Sequence, residues 1–326
     1  MRTNKIDNAD LFTQSANDKY KKHVKTQSKE ALEIINKIVD WSDLITPLEK
    51  QIQRSSTGRK PFSLLVIVKC FIIQTIYNLS DPRLEEEIAD RRSFQIFLGL
   101  NSGDSIPDET TICTYRKIFS AKGLDTQLFK TFNDQLTSKG FIVGKGTLVD
   151  ATIMPSYTNS KSNDNIGNRD KDADFTKRGR RTIYGYKGHI GMDMDSKFIH
   201  STDFTPVSIH DSNKFDDLIT KKEKIIIADK GYNNQERKTQ CRKNGIYCGI
   251  LDKPYRNHKL SKKQKLRNKK LSKIRYEVEK PFAYMKNILK NTRCRYYDLQ
   301  RNRFKFTFSS IIYNIRRMIT LELSIA

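Results

Sequence analysis

The sequence predicts a chain in two parts: an all-α N-terminal portion, then an α/β domain built on a mixed five-stranded sheet flanked by helices. Three observations predict it. Before about Gly140 the apolar residues recur at helical spacing, punctuated by Gly and Pro. From Gly144 they fall in runs of strand length, among them TLVD, TIYGYKGHIGMD, KFIHSTDF, KIIIAD and GIYCGIL. Helix-period segments then separate and follow the later runs. The order is β, β, β, α, β, α, β, α, α, with three strands in hairpin connection and two joined through helices.

The 326 residues suffice for one large or two ordinary domains with a real core. Lys and Arg number 61 against 37 Asp and Glu, a net charge of +24. That excess suits a polyanion, nucleic acid being the commonest. A membrane is the rival reading, but no stretch reaches the roughly 18 unbroken apolar residues a span needs. The nearest, Phe62 to Leu79, is interrupted by Lys69 and Gln74. The opening residues lack the apolar core of a signal peptide, so a cytoplasmic, nucleoid-associated protein is expected. Five scattered cysteines form no C-x2-C pair, and five histidines are too few for a soft-metal site. Any metal would be held by oxygen.

Residues 1–54 read as an N-terminal helical arm and 55–140 as a helical domain. In the arm, residues 29–45 place Leu32, Ile35, Ile38, Val39 and Trp41 near one helical face, with Trp41 as a packing residue. GRKP at 58–61 is a break, Pro61 being suited to opening a helix. The following helix, to Leu79, is apolar nearly all round and forms the core of the unit. Helices are expected over 84–100, 110–119 and 124–136. The domain reads either as a DNA-end recognition unit or as a dimerisation and packing unit. Arg91-Arg92 and Arg116-Lys117 are its candidate phosphate contacts.

In the third part, 141–326, Asp150 follows Leu148-Val149 and Asp229 follows Ile225-Ile226-Ile227, each expected at the end of a short apolar strand. Ligands of α/β sheets gather at such ends. Residues 155–181 read as a long polar loop, 212–220 as a short helix, and Asp211 as its cap. Residues 273–286 (KIRYEVEKPFAYMK) read as a helix. At about 100° per residue, Arg275, Glu279 and Lys286 fall within roughly 40° of one another, and Lys290 and Arg293 continue the line. Beside it run Ile274, Val278, Phe282, Met285 and Leu289, while Glu277 points away. Pro281 would kink this helix or make it begin near Lys280. Three oxygen ligands on three elements are what Mg²⁺ or Mn²⁺ prefers. Strand alternation puts Gly185, Lys187 and His189 on one face and Tyr184, Tyr186 and Gly188 on the other. Lys187 is a candidate DNA contact, the alternative being a solvated face, and His189 is read as a hydrogen-bonded structural residue. Ten Lys and Arg lie between Lys253 and Lys273 with no acid among them, a further candidate DNA contact.

These motifs together resemble a bacterial insertion-sequence transposase of the DDE class. The matching stretches are LVDATIM, GYKGHIGMD at 185–193, TPVSIHDS at 205–212, IIIADKGY and RYEVEKPFAYMK. The N-terminal GRKPFSLLVIVKCFIIQ is similar to the helical domain found ahead of that core. Arg275, Glu279 and Lys286 fit the family signature Tyr-x2-Arg-x3-Glu-x6-Lys, with Ser272 in the tyrosine position. The resemblance implies an RNase H-like catalytic domain in which Asp150, Asp229 and Glu279 hold two Mg²⁺, with Mn²⁺ the alternative. It implies Arg275 and Lys286 as phosphate contacts, and, on the continuing line, Lys290 and Arg293. The implied activity is cleavage of the element's terminal inverted repeats and their joining to target DNA, by a homodimer on double-stranded DNA. The alternatives are a catalytically inactive, transposase-derived DNA-binding protein or repressor, and a nuclease that does not join strands.

Overall fold

The structure, a computed structural model, describes residues 20, 26–52, 61–101, 103–158, 169–220, 222–254 and 258–325. Residues 1–19, 21–25, 53 and 54 of the N-terminal arm, Gly58 to Lys60 of the expected break and the middle of the 155–181 stretch lie outside them. The described residues divide into two compact units, Met1–Phe132 with Met318–Ala326, and Asn133–Arg317.

Seven helices precede the sheet among the described residues: α1 (Gln27–Ile38), α2 (Trp41–Glu49), α3 (Leu64–Tyr77), α4 (Asp81–Asp90), α5 (Arg92–Leu98), α6 (Glu109–Lys122) and α7 (Leu124–Ser138). Two helices expected as single are each broken in two. Val39 turns extended, and Asp40 restarts the chain as α2 by accepting from the Asp43 N–H at 3.2 Å. Arg91 is likewise extended between α4 and α5. Pro61 does not open α3; Ser63 caps it, accepting from the Val66 N–H. α3 is buried along most of its length, Lys69 included. Lys69 donates to the Phe97 carbonyl at 2.9 Å and lies over Trp41, which packs edge-on against Phe97. Burial lowers this lysine to about 8. No single described helix is long and apolar enough to cross a membrane.

The second unit carries a six-stranded sheet: β1 (Gly146–Pro155), β2 (Asp174–Arg178), β3 (Arg181–Asp193), β4 (Ile199–Pro206), β5 (Ile225–Ala228) and β6 (Tyr247–Ile250). The order is β2-β3-β1-β5-β6, with β4 also paired to β3. β1 runs antiparallel to β3 and parallel to β5, which is parallel to β6. The sixth strand, β2, lies in the stretch expected as loop. It forms a two-residue hairpin with β3, and Gly179 takes the φ of +62° that the first loop residue needs. The helix expected over 212–220 is only one 3-10 turn, Asp211–Lys214.

Each face of the sheet has its own apolar layer. On one, Val149, Ile226, Ala228 and Ile250 pack with Phe215, Leu218, Tyr232 and Cys241. On the other, Tyr186 stacks on Phe204, which meets Phe306 of the C-terminal helix at a tilt. Gly188 sits where that helix crosses: a Cβ there would collide with the Phe306 ring. The remaining helices are α8 (Gln235–Lys243), α9 (Lys262–Arg275), α10 (Glu279–Asn287) and α11 (Leu299–Ile325).

Candidate active site

The parallel pairing of β1 with β5 ends at Val149 opposite Ala228. The next residue in each is an aspartate, so Asp150, still within β1, and Asp229, just past β5, stand side by side. Asp150 is not at a strand end, as expected from its apolar run. β1 continues to Pro155 because β3 goes on pairing with it after β5 has stopped. Asp229 does end its strand and starts the 3-10 turn Lys230–Tyr232, yet its side chain makes no capping bond. Its carboxylate therefore faces the space beyond the sheet.

The 273–286 stretch is three segments rather than one helix. α9 ends at Arg275, a 3-10 turn spans Tyr276–Val278, and α10 begins at Glu279. Pro281 is the third residue of α10, in the first turn, where a missing N–H leaves no hydrogen bond unmade. Arg275 and Glu279 still meet, Arg275 Nη2 donating to Glu279 Oε1 at 2.9 Å across the 3-10 turn. Val278, Phe282, Met285 and Leu289 are buried as the apolar stripe required, but Ile274 is exposed. Glu277 pairs instead with Lys280 at 2.8 Å.

Asp150, Asp229 and Glu279 line one cleft of about 740 Å³. Asp211 is the fourth acid on its walls, and the cations there are Lys177, Arg178, Lys187, Arg275, Lys280 and Lys286. Acids and bases thus share one concavity. Burial pushes the Asp150 carboxyl up to about 6; Arg275 opposes that rise, and the charges of Asp229 and Glu279 add to it. Arg275 Nη1 donates to Asp150 Oδ2 at 2.8 Å. Lys286 donates to Thr152 Oγ1 at 2.5 Å, two residues along β1 from Asp150. Burial, with the Arg178 charge adding, holds Lys286 below the usual lysine range.

Other expected residues fall elsewhere. Lys187 reaches the cleft but is ion-paired with Asp211 at 2.9 Å and donates to the Ile209 carbonyl. Asp211 is therefore not the expected cap; His210 takes that place, accepting from the Ser212 N–H. His189 is fully buried against Thr205, and desolvation lowers it to about 4. Lys290 and Arg293 do not continue the line of Arg275 and Lys286. α10 stops at Asn287, Lys290 is left-handed with φ of +57°, and Arg293 donates to the Ser156 carbonyl at 2.7 Å. Neither lines the cleft. Lys177 and Arg178 do, and no sequence signal marked them, because β2 is mostly polar and has no buried residue.

Among the described residues, no three His, Cys, Asp or Glu side chains already stand as a metal cage. The donor chemistry nonetheless fits a hard divalent cation: three carboxylates on separate elements, with no thiolate or imidazole. What holds Asp150 and Glu279 together in their place is the Arg275 guanidinium.

A mixed sheet that sends two neighbouring carboxylates into a cleft, met there by a third from a following helix, defines a class of phosphoryl-transfer enzymes. Two family matches narrow the class: the family described as "Transposase DDE domain" over residues 143–315, and "Transposase domain (DUF772)" over residues 19–117. The chain belongs to the DDE transposase family, whose members use divalent metal, and it is a DNA transposase. The matched DDE domain spans the mixed six-stranded sheet and the helices that flank it, and helices precede it in the chain. Among solved structures it is similar to the piggyBac transposase in a synaptic complex with hairpin DNA, at 10% identity and a TM-score of 0.41. That match covers 90% of this chain and 75% of the other, a likeness too loose to add to the family assignment.

Proposed function

We propose that this transposase cuts the ends of its own insertion sequence and joins them to target DNA, with Asp150, Asp229 and Glu279 as the ligands of two Mg²⁺. The observation that carries the reading is the side-by-side exit of Asp150 and Asp229 beyond the last parallel pair of β1 and β5, with Glu279 on the same cleft. Asp150, Asp229 and Glu279 would hold the ions, which would supply activation of the attacking water or 3′-hydroxyl and charge stabilisation of the leaving oxygen. The chain's own part is positional. Two adjacent strands fix the separation of Asp150 and Asp229, and the first turn of α10 brings Glu279 to them. Lys286, held by Thr152, supplies a cation for the phosphate beside the one that reacts. The same reading takes the partner to be double-stranded DNA, the ends and the target in turn, bound by a homodimer at the nucleoid.

Strand-transfer reactions test it, using duplexes that carry the inverted repeats flanking the coding region. Cleaved ends joined to a target plasmid are expected in Mg²⁺. Cleavage of any duplex without joining would point to a nuclease instead, and binding with neither step to an inactive repressor.

The hairpin of β2 and β3 belongs to the same surface. Lys177, Arg178, Arg180 and Arg181 are all exposed around its turn, and Arg178 is close enough to Lys286 to depress its charge. Like charges facing across a cleft are unfavourable unless an anion lies between them. Replacing Arg178 and Arg180 by Ala is expected to lower the slope of log affinity against log salt by about 1–2. Fluorescence anisotropy on a short duplex in EDTA measures that slope. An unchanged slope would remove the hairpin from the DNA path.

A further inference from the structure

One guanidinium joins two of the three carboxylates. Arg275 donates from Nη1 to Asp150 at 2.8 Å and from Nη2 to Glu279 at 2.9 Å, one oxygen from each acid. The two acids lie 129 residues apart in sequence, in the middle of β1 and at the start of α10, and this cation bridges them. The third nitrogen, Nε, is buried with no hydrogen-bond partner. Arg275 is thus engaged at its two tips and unsatisfied at its root, a posture that favours exchange for a better one.

A hard divalent ion needs several oxygens at about 2.0–2.2 Å, and one bridging Asp150 and Glu279 would meet the guanidinium's positive charge in the same gap. The two cannot sit between Asp150 and Glu279 together. A phosphate, by contrast, offers Arg275 two oxygens of opposite charge for a bidentate pairing with its planar fork. We propose that Arg275 is a cation placeholder: in the free protein it fills the position between Asp150 and Glu279, and the DNA phosphate draws it away so that the acids can take their metal. The proposal rests on the assignment of those acids as ligands.

It has a thermodynamic consequence. If the departure of Arg275 serves both partners, DNA raises the affinity for metal, and metal raises the affinity for DNA by the same factor, typically about 5- to 150-fold. The metal site is then assembled on DNA, and the free protein is kept from acting as a metal-loaded hydrolase.

The test is Mn²⁺ binding to the full chain, read as loss of the free-ion signal in electron paramagnetic resonance, with and without a short duplex. Wild type, Arg275→Ala, Arg275→Gln, Arg275→Lys and Asp150→Asn are compared. Without DNA, Arg275→Ala and Arg275→Gln are expected to bind Mn²⁺ about tenfold more tightly than wild type, and to lose most of the increase that DNA confers. Arg275→Lys should fall between, because a single ammonium does not span both acids as a fork does. If both neutral variants bind Mn²⁺ no more tightly than wild type while Asp150→Asn loses the site, the acids are ligands but Arg275 is no placeholder. If Asp150→Asn binds as wild type does, the ligand assignment itself falls, and the placeholder with it.

Discussion

Asp150→Asn and Asp229→Asn are each expected to slow strand cleavage by about 10³-fold or more without weakening the metal-free binding of duplex DNA. The amide keeps the volume and the strand pairing of either residue, so the loss isolates the charge. For Asp150 the same change has a second readout. Its carboxyl is raised to about 6, chiefly by burial, so the fold disfavours the ionised form. An acid whose folded value lies above its unfolded value of about 3.9 costs stability at neutral pH. That cost grows from about pH 4 to about pH 6 and is absent below both values. Asp150→Asn is therefore expected to be more stable than wild type at pH 7 by about 1–3 kcal/mol, with the difference closing toward pH 4. Urea denaturation across that pH range measures it. A variant that cleaves normally would show that the cleft's acids do not do the chemistry, whatever its stability.

What was legible in the sequence was whatever the sheet or a helix face had to bury. The runs before Asp150 and Asp229 are apolar because both faces of β1 and β5 are covered, and that burial announced the strands. The stripe of Val278, Phe282, Met285 and Leu289 announced the helix face that sets Glu279 apart from Glu277. Pro281 announced a kink or a helix start near Lys280, and the helix starts at Glu279; the 3-10 turn before it still keeps Arg275 and Glu279 in contact. Lys290 and Arg293 were misplaced because charge spacing carries no mark of where a helix ends. β2 left no trace at all. It buries almost nothing, and its cations at Lys177 and Arg178 read as solvated loop until the pairing with β3 puts them on the cleft. Arg116, taken as a candidate phosphate contact, needed knowledge of partners 35 and 42 residues away.

Arg116→Ala is accordingly expected to unfold the helical unit rather than weaken DNA binding. The residue is 1% exposed. Its guanidinium donates to Asp81 at the first turn of α4 at 2.8 Å and to Gln74 of α3 at 2.9 Å, so α6 ties two other helices together. Gln74 in turn donates to Asp81 at 2.6 Å, closing a three-membered polar cluster. Removing the cation alone leaves Asp81 short of its countercharge and Gln74 without a donor, a loss of about 3–5 kcal/mol. Replacing the cluster as a whole by Gln74→Leu, Asp81→Leu and Arg116→Met is expected to cost less than the single change, because no charge is then stranded. Far-ultraviolet circular dichroism through a urea titration separates these outcomes. A single variant that melts as wild type does, but loses salt-dependent DNA affinity, would instead place Arg116 on the DNA surface, against its burial.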